Sequence, residues 1–156
     1  MNTIKIKKII TGVLVFGFII IVLVDALLQG KKSYSSTMGM DINRVYFYTF
    51  FLLTIGCWLL YHRWFVGIGF LALAAFSSYF REYLFLHNYF ASILIYVMIV
   101  LDVVLRREVK WFIAFLVIGI IQGIAFQTPL LNNYFVGSME CLALSVGTVF
   151  VIKNMR

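Results

Sequence analysis

Six long runs of apolar residues, separated by short polar segments, dominate the pattern of this chain. The runs are 16 to 20 residues long, close to the roughly 17–25 apolar residues that a helix needs to cross a hydrocarbon core of about 30 Å. Apolar side chains occupy every face of these runs, whereas a barrel strand alternates apolar and polar positions. The pattern therefore predicts helices. The runs are residues 9–28, 45–61, 64–80, 89–105, 111–126 and 134–152.

Very short polar segments connect the second run to the third and the fourth run to the fifth. Such short connections force neighbouring helices to run antiparallel. Aromatic motifs recur where the runs begin, as in Asn88-Tyr89-Phe90 and Asn133-Tyr134-Phe135, and aromatic residues collect at membrane interfaces. We therefore predict an all-α integral membrane protein, a bundle of six transmembrane helices arranged as three antiparallel hairpins.

The composition supports the same class. Hydrophobic residues make up 63% of the 156 residues and charged residues only 12%, against about 25% charged in an ordinary soluble domain. These values exclude a soluble globular domain, a disordered chain, a collagen-like fibre and a disulfide scaffold. The residues outside the six runs are too few and too scattered to form a separate domain. We predict a single polytopic membrane domain over residues 1–156.

The net charge of +7 indicates how the chain is oriented in the membrane more than it indicates nucleic acid binding. Cytoplasmic loops of membrane proteins carry an excess of Lys and Arg. If the N-terminus is cytoplasmic, nine basic residues fall on the inner side and four on the outer side. We therefore expect both termini to be cytoplasmic and the chain to lie in the plasma (inner) membrane. The inner residues are Lys5, Lys7, Lys8, Arg63, Arg106, Arg107, Lys110, Lys153 and Arg156, and the outer ones are Lys31, Lys32, Arg44 and Arg81.

Small residues at intervals of four predict close contacts between helices. Gly119 and Gly123 form such a pair in the fifth run, and Gly137, Cys141 and Ser145 form a ladder in the sixth. Small residues let helix backbones approach each other, which matters because lipid supplies no hydrophobic force between helices. Ordinary packing within the chain is the favoured interpretation, ahead of a dedicated dimer interface.

Ionisable residues inside the runs are the most informative positions, because each costs at least about 2.5–3.5 kcal/mol near the bilayer centre. Glu140 is the deepest, six residues beyond Tyr134 and so roughly 9 Å below the outer interface. It should be protonated or face a partner within the bundle. Asp102 precedes Arg106 by four residues, and an ion pair along one helix explains it without a function.

Several polar residues are expected to converge near the outer leaflet. One interpretation is a site in which His87, Glu82 and Glu140 act as catalytic acid and base, while Arg81, Gln127, Asn133 and Asp25 bind the substrate. The other is a structural network or a solvated loop. No metal-ligand spacing is present, and no cofactor is implied.

Three functions follow from these patterns. The first is a non-catalytic subunit, assembly partner or binding protein in the bilayer, with membrane lipids, other membrane subunits or itself as partners and no nucleic acid. The second is an integral-membrane enzyme acting on a lipid or lipid-linked head group at the outer leaflet. The third is an oligomeric transporter or channel that uses Glu140. The absence of a recognisable catalytic motif favours the first and leaves open whether the chain is an enzyme.

Overall fold

The structure, a computed structural model, describes residues 3–28, 42–75, 92–127 and 133–155. These residues form six helices and no strand, which confirms the all-helical prediction. The helices are α1 (Thr3–Leu28), α2 (Ile42–His62), α3 (Trp64–Ala75), α4 (Ser92–Leu105), α5 (Val109–Gln127) and α6 (Asn133–Asn154).

The helices pack in a closed ring. Each helix contacts the next one along the chain, and α6 closes the ring by packing against α1. Only Arg63 separates α2 from α3, and three residues separate α4 from α5. These two turns lie at the same end of the bundle as the start of α1 and the end of α6. We call this the basal end and the opposite one, where α1 ends and α2 begins, the apical end.

One face of each helix supplies the core. In α1 the buried residues are Val15, Phe18, Ile19 and Val22, which follow the three- and four-residue spacing of a helical stripe. The equivalent stripe of α4 is Ile95, Ile99 and Val103, and Val103 is 0% exposed. Dispersion contacts between the closely packed atoms of these stripes hold the helices together. The stripes of the remaining helices include Ile55, Leu59, Val66, Phe70, Phe115 and Phe150.

Glycines of α3 allow the closest helix contacts. A Cβ atom at Gly67 would overlap the backbone of Leu59 and Leu60 in α2, and one at Gly69 would lie 2.7 Å from the Cα of Ile95 in α4. Helix α3 is thus held between α2 and α4 by backbone approach. The predicted pair in α5 is divided, since Gly119 faces the ring of Tyr96 whereas Gly123 meets no described atom within 4 Å.

Many large apolar side chains lie on the outer surface of the bundle. Val13 is 67% exposed and Phe50 is 70% exposed. Exposure of so many large apolar side chains to water would be unfavourable. By length and composition, the stretches Thr3–Asp25 and Asn43–His62 could each cross a membrane. Three more apolar stretches are shorter than a full span: Trp64–Ala75, Ile93–Leu105 and Val109–Ile124. Two candidate spans therefore support a membrane protein.

Candidate functional site: buried polar groups at the two ends of the bundle

Asp102 of α4 is the buried acid at the basal end. Its Oδ1 atom lies 3.0 Å from Nε of Arg106 and 3.8 Å from Nη1 of Arg63. The pair with Arg106 confirms the ion pair predicted from the four-residue spacing. Oδ2 of Asp102 is buried and has no hydrogen-bond partner within the described ranges. Oδ1 thus accepts a hydrogen bond from Arg106 and forms a longer ion pair with Arg63.

Arg63 connects three parts of the bundle. It stands alone between α2 and α3, and its side chain is only 10% exposed. Its guanidinium also donates a hydrogen bond to the backbone carbonyl of Asn154, the last residue of α6. The sequence places Arg63 only among the basic residues of the inner side. In the structure, Arg63 joins the α2–α3 turn to both α4 and α6.

Thr11 and Trp58 form a second polar contact near this end. The indole Nε1 of Trp58 donates to Oγ1 of Thr11 at 2.9 Å, and this oxygen lies 2.9 Å from the Lys7 carbonyl, to which the hydroxyl donates. Thr11 is 1% exposed. Both polar groups are therefore satisfied inside the protein, as buried polar groups generally are. The contact fixes α2 against α1.

A small cavity lies at the centre of the ring, above these contacts. Its volume is about 10 Å³, close to the minimum that holds one water molecule. Thr148 contributes a hydroxyl, which donates to the carbonyl of Leu144 at 2.6 Å. The cavity suits a water molecule better than a substrate. It is lined by Thr11, Val15, Leu59, Val66, Phe70, Ile99, Leu144, Gly147, Thr148 and Val151.

Asp25 occupies the apical end of α1. Its Oδ1 lies 3.1 Å from Nη1 of Arg44, and its Oδ2 accepts a hydrogen bond from the hydroxyl of Tyr48. Both partners belong to α2. The sequence pattern predicts substrate binding for Asp25, whereas its observed contacts join α1 to α2. The role of Asp25 in binding remains a prediction.

Glu140 lies on the inward face of α6. It precedes Leu144, Gly147 and Thr148 by four, seven and eight residues, the spacing of one helix face, and all three line the central cavity. Its Oε2 is buried without a hydrogen-bond partner in the part of the chain that the structure describes. Glu140 therefore differs from Asp25 and Asp102, whose carboxylates contact cationic side chains.

The structure does not describe the side chains of the other five predicted site residues. Arg81, Glu82 and His87 lie outside the described residues. Gln127 and Asn133 belong to helix ends whose side chains are not described. The predicted convergence of these five with Asp25 and Glu140 is therefore still a prediction.

The contacts that sequence reasoning missed are all long-range. Nothing local to Arg63, Trp58 or Tyr48 signals a partner in another helix. From the sequence alone, aromatic residues indicate only where the helices meet the membrane interface. In the structure, each of these three side chains donates a hydrogen bond to another part of the fold.

No group of three or more His, Cys, Asp or Glu side chains that could hold a metal ion occurs in the described segments. Cys57 is exposed, Cys141 is half-buried, and neither forms a disulfide. No known protein family, curated protein or solved structure matches this chain.

Proposed function

We propose that the chain is a multi-pass integral membrane protein with six spans and both termini cytoplasmic, in the plasma (inner) membrane. The six apolar runs, the antiparallel ring and the exposed apolar side chains support this arrangement. Helix α3 has 12 described residues, about 18 Å at 1.5 Å per residue. A full span therefore requires the apolar run to continue through residues 76–80, as its sequence predicts.

Single cysteines test this topology. In a Cys57→Ser, Cys141→Ser background, one cysteine at a time is introduced at Lys5, Arg107 or Lys31, and an impermeant maleimide is added to intact cells. Six spans with cytoplasmic termini predict labelling at position 31 only. Labelling at position 107 from outside would refute the proposed orientation.

Within the membrane, we propose a non-catalytic role as a subunit, assembly partner or binding protein. The observation that carries this proposal is that polar side chains inside the bundle bond to other parts of the same chain. Asp25, Asp102, Arg63 and Trp58 each contact a residue outside their own element. They hold the bundle together, while large apolar side chains face outward and are available to lipid or to another membrane protein.

The exposed thiol of Cys57 on α2 offers a direct test. Membranes are treated with a bifunctional maleimide and the chain is then purified in mild detergent. We expect a defined cross-linked species, absent in the Cys57→Ser variant and retained in Cys141→Ser, the matched control. A chain that purifies alone and gives no such species at any reagent concentration would contradict an assembly role.

Glu140 favours a second candidate, an oligomeric transporter or channel. A carboxyl oxygen that is buried and lacks a partner among the described residues is typical of groups that bind or relay ions in membranes. Ion or proton flux in proteoliposomes that disappears in the Glu140→Gln variant would support this candidate. The remaining alternative, an enzyme acting on a lipid head group, requires loss of activity on separate substitution of His87 and Glu140 by Gln.

A further inference from the structure

The charged side chains of the described helices are distributed very unequally between the two ends. At the basal end, eight Lys and Arg residues stand against two carboxylates, those of Asp102 and Glu108, a net charge of +6. The apical half holds one basic residue, Arg44, against Asp25 and Glu140, a net charge of −1. The basal residues are Lys5, Lys7, Lys8, Arg63, Arg106, Arg107, Lys110 and Lys153.

Internal ion pairs account for three of the eight basal cations. Arg63 and Arg106 share Asp102, and Lys153 lies 3.4 Å from Glu108. The other five have no acidic partner within the described ranges, and Lys5, Arg107 and Lys110 are exposed. The five are Lys5, Lys7, Lys8, Arg107 and Lys110; we call them the basal cations.

Contacts between elements bring the segments that carry the basal cations next to one another, and these segments form the basal surface. Lys153 of α6 pairs with Glu108 in the α4–α5 turn, beside Arg107 and Lys110. Thr11 of α1, one turn beyond Lys7 and Lys8, lies 3.4 Å from the sulfur of Met155 at the end of α6. The start of α1, the end of α6 and the α4–α5 turn are therefore neighbours.

We propose that this basal surface binds the phosphate groups of anionic phospholipids. The proposal deepens the proposed function, because it rests on the bundle lying in a bilayer and identifies a lipid partner for one of its ends. Lys and Arg next to an anionic leaflet are each attracted to it, by an amount equivalent to about a fivefold gain in affinity. The stems of Lys7 and Lys8 are half-buried, so their ammonium groups can extend along the helix toward the head groups.

A phospholipid titration in an uncharged mild detergent tests the proposal on the full chain. The probes are phosphatidylglycerol and phosphatidylcholine, and the measurement is the thermal unfolding midpoint. We expect phosphatidylglycerol to raise the midpoint by several degrees more than phosphatidylcholine. High salt should reduce the difference, because exposed charges are screened.

Two variants locate the effect. Arg107→Gln with Lys110→Gln removes two basal cations and should raise the phosphatidylglycerol concentration for half of the shift about 25-fold, at about fivefold for each charge. Lys31→Gln with Lys32→Gln removes the same charge from the segment that follows the apical end of α1, and should leave that concentration unchanged. Equal shifts with both lipids, or equal effects of both variants, would overturn the proposal.

The phospholipid titration and the Cys57 cross-linking test can give opposite results, because they test two different proposals. A chain that purifies alone but prefers phosphatidylglycerol refutes the assembly partner and retains the lipid surface. A chain that cross-links through Cys57 but shows no preference between the lipids refutes the lipid surface and retains the assembly partner.

Discussion

Arg63 reaches from the α2–α3 turn to Asp102 in α4, with its Nη1 atom 3.8 Å from Oδ1 of the carboxylate. Only 10% of the Arg63 side chain and 7% of the Asp102 side chain are exposed. Arg106 approaches the same oxygen more closely, at 3.0 Å, but it directly follows the helix of Asp102 and its side chain is 28% exposed. The two arginines therefore contribute differently to the fold, although both pair with one acid.

Removing the acid should be costly. Asp102→Asn leaves the buried guanidinium of Arg63 without its counter-ion, and we expect a loss of about 3 kcal/mol in unfolding free energy, as for other broken buried pairs. Arg106→Gln is the matched control, with an expected loss below about 1 kcal/mol because this pair is local and partly solvated. Unfolding in mild detergent measures both. Equal losses would show that Arg63 does not depend on Asp102.

The glycines of α3 and α5 give a second contrast. Gly67→Ala places a methyl group against the backbone of Leu59 and Leu60, which cannot move aside as a side chain could. We expect a loss of about 1–3 kcal/mol in stability. Gly123→Ala meets no described atom within 4 Å and should be neutral or slightly stabilising, since Ala favours helix. A large loss at Gly123 in native membranes, but not in detergent, would instead reveal a partner on that face.

Arg107 adopts a backbone conformation that usually requires glycine. Its φ angle is 56°, and the amide groups of Arg107 and Glu108 donate to the carbonyls of Val104 and Val103 at 2.9 and 3.2 Å. This is the hydrogen-bond pattern that ends many helices with a left-handed residue. Arg107→Gly should therefore stabilise the chain by about 1 kcal/mol. Arg107→Gln, which keeps the strain while removing the charge, should show no such gain in thermal unfolding.

Glu140→Gln tests what surrounds the buried carboxyl group. The amide has nearly the same shape and carries no charge, so we expect stability to stay unchanged or rise by about 1–3 kcal/mol. The same unfolding measurement on Asp102→Asn should show the opposite sign, because Asp102 has cationic neighbours. A loss above about 3 kcal/mol at Glu140 would reveal a cation that pairs with it from outside the described residues. Arg81 is a candidate, because the sequence predicts that it lies near Glu140.

Local pattern was sufficient for the helices. The run predicted over 111–126 corresponds to α5, Val109–Gln127, and the run over 134–152 corresponds to α6, Asn133–Asn154. A backbone that runs through lipid has no water to hydrogen-bond with. A continuous apolar run therefore favours a helix, which pairs its own backbone N–H and C=O groups. The ion pair of Asp102 with Arg106 was predictable for the same reason, because a helix brings residues four apart onto one face.

The sequence by itself determined which segments are helical, that neighbouring helices are antiparallel, and where charge is scarce. Only the tertiary structure decided which polar groups meet: Arg63 with Asp102, Trp58 with Thr11, and Asp25 with Arg44 and Tyr48. Helices that are apolar on every side carry little information about which face turns inward. That choice depends on backbone contacts such as those at Gly67 and Gly69, which exist only once the helices are packed.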